Sequence, residues 1–139
     1  MVGKPVEFLS PERSRQLVEL AERARTRLAQ IGGRPVEYDA TTLQLLDEWI
    51  DRESAPSQSL QVMWAAFLGE IFRRRHGGEW ILHQGDGNQL AVLCPTEVGG
   101  VHRVDVTWHI ARRIASGMAH SLALFYLREA ALLRCPRDF

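Results

Sequence analysis

Glu70 places a carboxylate in one of the most apolar helical stretches of this chain, Leu60 to Phe72. Buried there, it could serve as a general acid or base with a raised pKa. Arg73 and Arg74 follow three and four residues later, the favourable spacing for an intrahelical ion pair on a partly solvated face, and that plainer reading is preferred. The five histidines are His76, His83, His102, His109 and His120, with neither HxxxH nor HxH spacing, so no metal site is expected. The one grouping that strands could assemble is His83 and His102, expected on neighbouring strands, with Asp105 or His109 nearby.

Cys94 precedes Pro95 at a strand end, and a nucleophilic thiol there needs a base such as His83 or His102; a buried, inert thiol is the expectation. Asp86-Gly87-Asn88 matches part of a calcium loop, but the other ligands and the closing glutamate are missing, so it reads as a hairpin turn. Arg73-Arg74-Arg75-His76, helped by Arg103, Arg112 and Arg113, could meet phosphate or a partner protein. A basic helix C-terminus is also what the helix dipole favours, at about 0.3–1 kcal/mol per residue. No nucleophile elbow, phosphate loop or cofactor motif accompanies these residues, and no cofactor is expected.

Composition narrows the classes further. The 139 residues suit one domain, and 45% apolar with 24% charged residues is ordinary for a globular chain. The 17 basic residues balance the 17 acidic ones, which argues against nucleic acid as a partner. Residues 1–70 hold 8 Lys/Arg against 11 Asp/Glu and residues 71–139 hold 9 against 6, a mild asymmetry compatible with a homodimer. Lys4 is the single lysine, a skew that GC-rich bacterial coding explains. Cys94 and Cys135 form no CxxC, the start carries no apolar signal segment, and no stretch is long enough for a membrane span, so a cytoplasmic protein is expected.

Positioning these side chains requires the following elements. Ser10-Pro11 starts a helix with Leu17, Leu20, Ala21, Ala24, Leu28 and Ile31 at helical spacing, which Gly32-Gly33 ends. Asp39 caps a second helix carrying Leu43, Leu46, Trp49 and Ile50 that stops before Pro56. Ser57 caps a third, central helix to Arg75, apolar on more than one face; Gly69 within it implies close approach by another backbone. Glu79–His83, Gln89–Cys94 and Val101–Val106 then read as a three-stranded antiparallel meander, with the third at the edge. Thr107–Ser116 and Ala119–Leu133 read as two further helices. The expected fold is α+β, with three N-terminal helices, the meander and two C-terminal helices packed on the sheet. It forms a single domain over 1–139, with residues 1–9 and 136–139 as loose tails. Trp49, Trp64, Trp80 and Trp108 are expected in the core.

Leu68-Gly69-Glu70, Gly77-Gly78-Glu79-Trp80 and Gly117-x-x-x-Ser121-Leu122 resemble a family of small bacterial domains of unknown function. The resemblance covers roughly the second half of the chain, and implies a fold but no activity. The preferred reading is therefore a non-enzymatic protein-binding module, working as an adaptor, regulator or immunity-type factor. The alternative is a small hydrolase or ligand-binding domain built on Glu70, His83, His102 and Asp105.

Overall fold

The computed structural model describes residues 6–83 and 89–134. Three helices come first. Helix α1 (Pro11–Gly32) starts where the Ser10 hydroxyl accepts from the Arg13 N–H, 3.1 Å, and ends at Gly33, whose φ of 73° lies in the left-handed region. In α2 (Ala40–Arg52) the Asp39 carboxylate accepts from both the backbone N–H and the hydroxyl of Thr42, each at 2.9 Å. Ser57 caps α3 (Gln58–His76) in the same way, and Gly77 ends it at φ 68°. From Trp64 to Phe72 every residue of α3 is buried, because α1, α4, β2 and β3 all pack against it. It is the central helix.

The sheet has four antiparallel strands in the order β1 (Val6–Phe8), β2 (Glu79–His83), β3 (Gln89–Pro95) and β4 (Val101–Val104). The last three form the expected antiparallel meander, except that its third strand ends at Val104 instead of Val106, because Val106 already opens the following helix. The first corrects the reading of residues 6–8 as part of a loose tail: Val6, Glu7 and Phe8 pair with His83, Leu82 and Ile81. A three-residue strand is too short to show a period of its own, and it exists because β2 offers it an open edge. On β3, Leu90, Val92 and Cys94 share the face towards the core helices, with Ala91 on the opposite face. Residues 1–5, the expected hairpin turn at Asp86-Gly87-Asn88, Cys135 and the expected tail at 136–139 lie outside the described residues.

Beyond the sheet, α4 (Val106–Ser116) leads into a single 3₁₀ turn (Gly117–His120), and α5 (Leu122–Ala130) follows. The expected last helix, Ala119–Leu133, is thus shorter at both ends. Ser121 interrupts it by capping the Leu124 N–H, and Leu133 leaves the helix to bridge Thr96.

Of the four tryptophans, Trp49, Trp64 and Trp80 are buried, whereas Trp108 is 47% exposed. The expectation of a core role fails for Trp108 because α4 buries Val106, Ile110 and Arg113 instead. Trp64 meets Trp49 edge-to-face, with ring centroids 5.7 Å apart.

Candidate functional site

Gly69, Glu70 and Trp80 form one unit. The double glycine turns the chain so that β2 runs back beside α3, and the Trp80 ring lies directly over Gly69. A Cβ at Gly69 would fall 2.0 Å from the nearest indole carbon. The close approach inferred at Gly69 is therefore made by a side chain, not by another backbone. The indole Nε1–H then donates to Glu70, 2.8 Å.

Glu70 is fully buried, not on a partly solvated face. Arg73 donates to both of its oxygens through Nε (2.6 Å) and Nη2 (2.8 Å), and Arg74 adds Nε at 2.8 Å. Burial alone would raise its pKa, but the hydrogen bonds from Arg73, Arg74 and Trp80 outweigh that and hold the carboxyl below its ordinary 4.5. A raised-pKa acid is thereby contradicted, while the expected pairing with Arg73 and Arg74 is present. The Arg74 guanidinium also covers the Tyr38 ring at 4.1 Å, and Arg75 Nε donates to the Tyr38 carbonyl at 2.7 Å. Tyr38 in turn donates its hydroxyl to Glu22, 2.5 Å. Burial, followed by this hydrogen bond, raises the phenol pKa.

Glu70→Gln is expected to cost about 3 kcal/mol, the lower end for breaking a buried pair, since Arg73 and Arg74 both reach solvent. Because the folded-state pKa is depressed, Glu70 stabilises fully above its unfolded value of 4.5 and loses that contribution as pH falls through the lower folded value. Urea midpoints of parent and variant should therefore converge only in that acid range. A Glu70→Gln protein more stable than its parent would mark a carboxylate held for function instead.

The four residues of the alternative site do not assemble. His83 pairs with Gln89 and His102 with Cys94, so β3 lies between the two histidines, and they sit about 17 Å apart along it. They are not on neighbouring strands, because β2 and β4 flank β3. His102 Nε2 meets Glu129 of α5 at 2.6 Å, and Asp105 is paired with Arg103 at 3.0 Å. Cys94 is buried, and loss of solvation together with the Glu129 charge pushes its thiol up to about 12, far from a thiolate at neutral pH. Among the described residues no group of three or more His, Cys, Asp or Glu side chains is placed to hold a metal ion.

Two other clusters appear that the sequence reading passed over. Asp47 of α2 is buried at the start of α5. Its carboxylate accepts from the backbone N–H groups of Leu122 (3.1 Å) and Ala123 (3.3 Å), from the Ser121 hydroxyl (3.0 Å) and from Arg113 Nε (2.7 Å). Arg113 is itself 1% exposed and also reaches the Asp47 carbonyl, Asp51 and the Met118 sulfur. Desolvation would lower its pKa, but hydrogen bonds to Asp47 and Asp51 hold it above the ordinary value. Arg113 is thus a structural counter-ion and not the surface partner residue that its sequence suggested. A signal existed: Asp47 lies four residues after Leu43 and three before Ile50, and Arg113 three after Ile110, so both charges fall on apolar stripes.

The second cluster joins His109 of α4 to His120 of the 3₁₀ turn, with Nδ1 and Nε2 2.9 Å apart and rings within 4° of parallel. Only one of the two facing nitrogens can carry the proton. Burial first, then repulsion from His120 and from the Arg112 guanidinium, lower the His109 pKa to about 4, so this imidazole is neutral at pH 7. His109 stacks on Phe125 at 3.8 Å and meets Trp108 edge-on at 4.9 Å. His76 is likewise engaged: its Nδ1–H donates to the Arg134 carbonyl (3.0 Å), leaving Nε2 to accept from Tyr126 (2.9 Å).

Beside these clusters lies an apolar face. Trp108 (47% exposed), Met118 (57%), Leu124 (49%) and Leu127 (56%) come from α4, the 3₁₀ turn and α5. The last three line an open groove of about 500 Å³ whose opposite wall is Glu48 and Asp51 of α2. Arg112 lies over the Trp108 ring at 5.3 Å. Fold and site together define a small α+β domain whose polar side chains are largely spent on one another, with an apolar groove left open. No protein-family model, curated protein or solved structure matches the chain. No helix among the described residues is long and apolar enough to cross a membrane.

Proposed function

We propose that this chain is a non-enzymatic protein-binding module of the bacterial cytoplasm, an adaptor, regulator or immunity-type factor. Its binding face is formed by Trp108, Met118, Leu124 and Leu127. The observation that carries this reading is that large apolar side chains of the 3₁₀ turn and α5 (Met118, Leu124 and Leu127) stay about half exposed around one groove, with Trp108 also exposed on the preceding α4. Exposed apolar side chains gathered around a groove with a charged rim mark an interaction surface, and tryptophan and arginine are the residues that most often anchor one. On α4 the exposed Trp108 carries Arg112 over its ring. The alternative, a hydrolase or ligand site on Glu70, His83, His102 and Asp105, has less support, since the strand order separates the two histidines and Glu70, His102 and Asp105 each hold a different partner.

Affinity capture from an extract of the source organism tests this, with parent and a Leu124→Asp, Leu127→Asp variant run side by side. The parent should retain a defined protein that the variant loses while keeping its melting curve. Equal capture by both would place the binding surface elsewhere and sink the reading.

A further inference from the structure

We propose that the protein seated on this face is a second copy of the same chain, paired about a two-fold axis through Leu124 and Leu127. The inference rests on the reading of the face as protein-binding. What singles out a second copy is the arrangement of charge around the apolar residues.

At 100° per residue, Ala123, Leu127, Leu124 and Arg128 follow one another around α5. Ala123, Leu127 and Leu124 line the groove towards α2, so Arg128 begins the opposite border. On the α2 side the exposed Glu48 faces Arg52 across 3.7 Å, while the exposed Asp51 shares the single Arg113 guanidinium with Asp47, which leaves that border with a net negative charge. On the other side it is basic, with exposed Arg128 on α5 and, close to the same His120, exposed Arg112 on α4. Neither arginine forms a salt bridge among the described residues.

A stripe that is apolar in the middle, acidic along one side and basic along the other is complementary to itself after a half-turn. An isologous interface places the same patch of two copies face to face, so the basic border of each copy meets the acidic border of the other. A foreign partner would have to carry the mirror of this pattern; another copy already does. The formal net charge of zero adds no long-range repulsion between copies. The acidic excess of residues 1–70 and the basic excess of residues 71–139 follow the same division, since α2 lies in the first segment and α4 and α5 in the second.

Sedimentation equilibrium on the full chain over a wide concentration range provides the test. The parent should pass from monomer to dimer, and Leu124→Asp should remain monomeric. Glu48→Arg and Arg128→Glu alone should each weaken the dimer by at least about tenfold, because each change converts two symmetric attractions into repulsions. An equimolar mixture of the two should dimerise again. In the mixed pair the two substituted positions face each other with opposite charges at one border, and the parental contact is kept at the other. A parent that stays monomeric throughout, single variants that dimerise like the parent, or a mixture that does not recover, would each overturn the proposal. If the parent is monomeric yet Leu124→Asp, Leu127→Asp still loses a captured foreign protein, only the self-pairing fails. If capture is also unchanged, the binding face fails with it.

Discussion

Trp80→Ala is expected to lower the unfolding free energy by about 3–5 kcal/mol, the range for truncating a large buried aromatic. Two independent losses combine. The ring fills the space above Gly69, where no side chain of α3 can replace it, so truncation leaves a cavity against the central helix. The indole N–H is also one of the donors to Glu70, a carboxylate with no exposure to water that could replace the missing bond. Trp80→Phe separates the two losses, since it keeps most of the apolar contact and removes only the donor; it should fall between parent and Trp80→Ala. Urea unfolding followed by far-UV circular dichroism measures all three. A loss below about 1 kcal/mol for Trp80→Ala would show that α3 and β2 do not depend on this contact.

Arg113→Met should be as damaging, at about 3–5 kcal/mol, because it leaves Asp47 and its negative charge buried without a counter-ion. The cost is not simply that of one ion pair. Asp47 also holds the first backbone N–H groups of α5, and a carboxylate that can no longer stay ionised at low cost releases them. The end of the groove formed by Ser121 and Ala123 should loosen with it, seen as faster amide hydrogen exchange at Leu122 to Phe125. Asp47→Asn combined with Arg113→Met provides the control. Removing both charges should cost less than Arg113→Met alone, which is the signature of direct coupling between the two residues. Additive losses would show that Asp47 and Arg113 act independently.

Much of the helical architecture is local and was therefore readable. A serine or aspartate before a helix offers an oxygen to N–H groups two or three residues away, and a glycine can take the left-handed φ that ends one. Ser10, Asp39, Ser57, Gly33 and Gly77 do this in the positions their neighbours predict. The three strands of the meander were readable for a related reason, since their apolar runs are long enough to stand out between glycine-rich turns. The Glu70 pairing with Arg73 and Arg74 also lies within one helical turn and depends on little else.

Tertiary structure alone decided the rest. Whether Glu70 is solvated or buried depends on Trp80 folding back over Gly69, which is set by the path of the double-glycine turn. Residues Val6–Phe8 become a strand only because β2 presents an edge to them. Asp47 and Arg113 are 66 positions apart, and their pairing follows from α2 meeting α4 and α5, which no spacing rule encodes. The exposure of Trp108 and the joining of His109 to His120 follow from which face of α4 turns inward. The apolar groove between α2 and α5 arises in the same way. Its residues look like core in a linear pattern, and only packing shows that other side chains filled the core and left these outside.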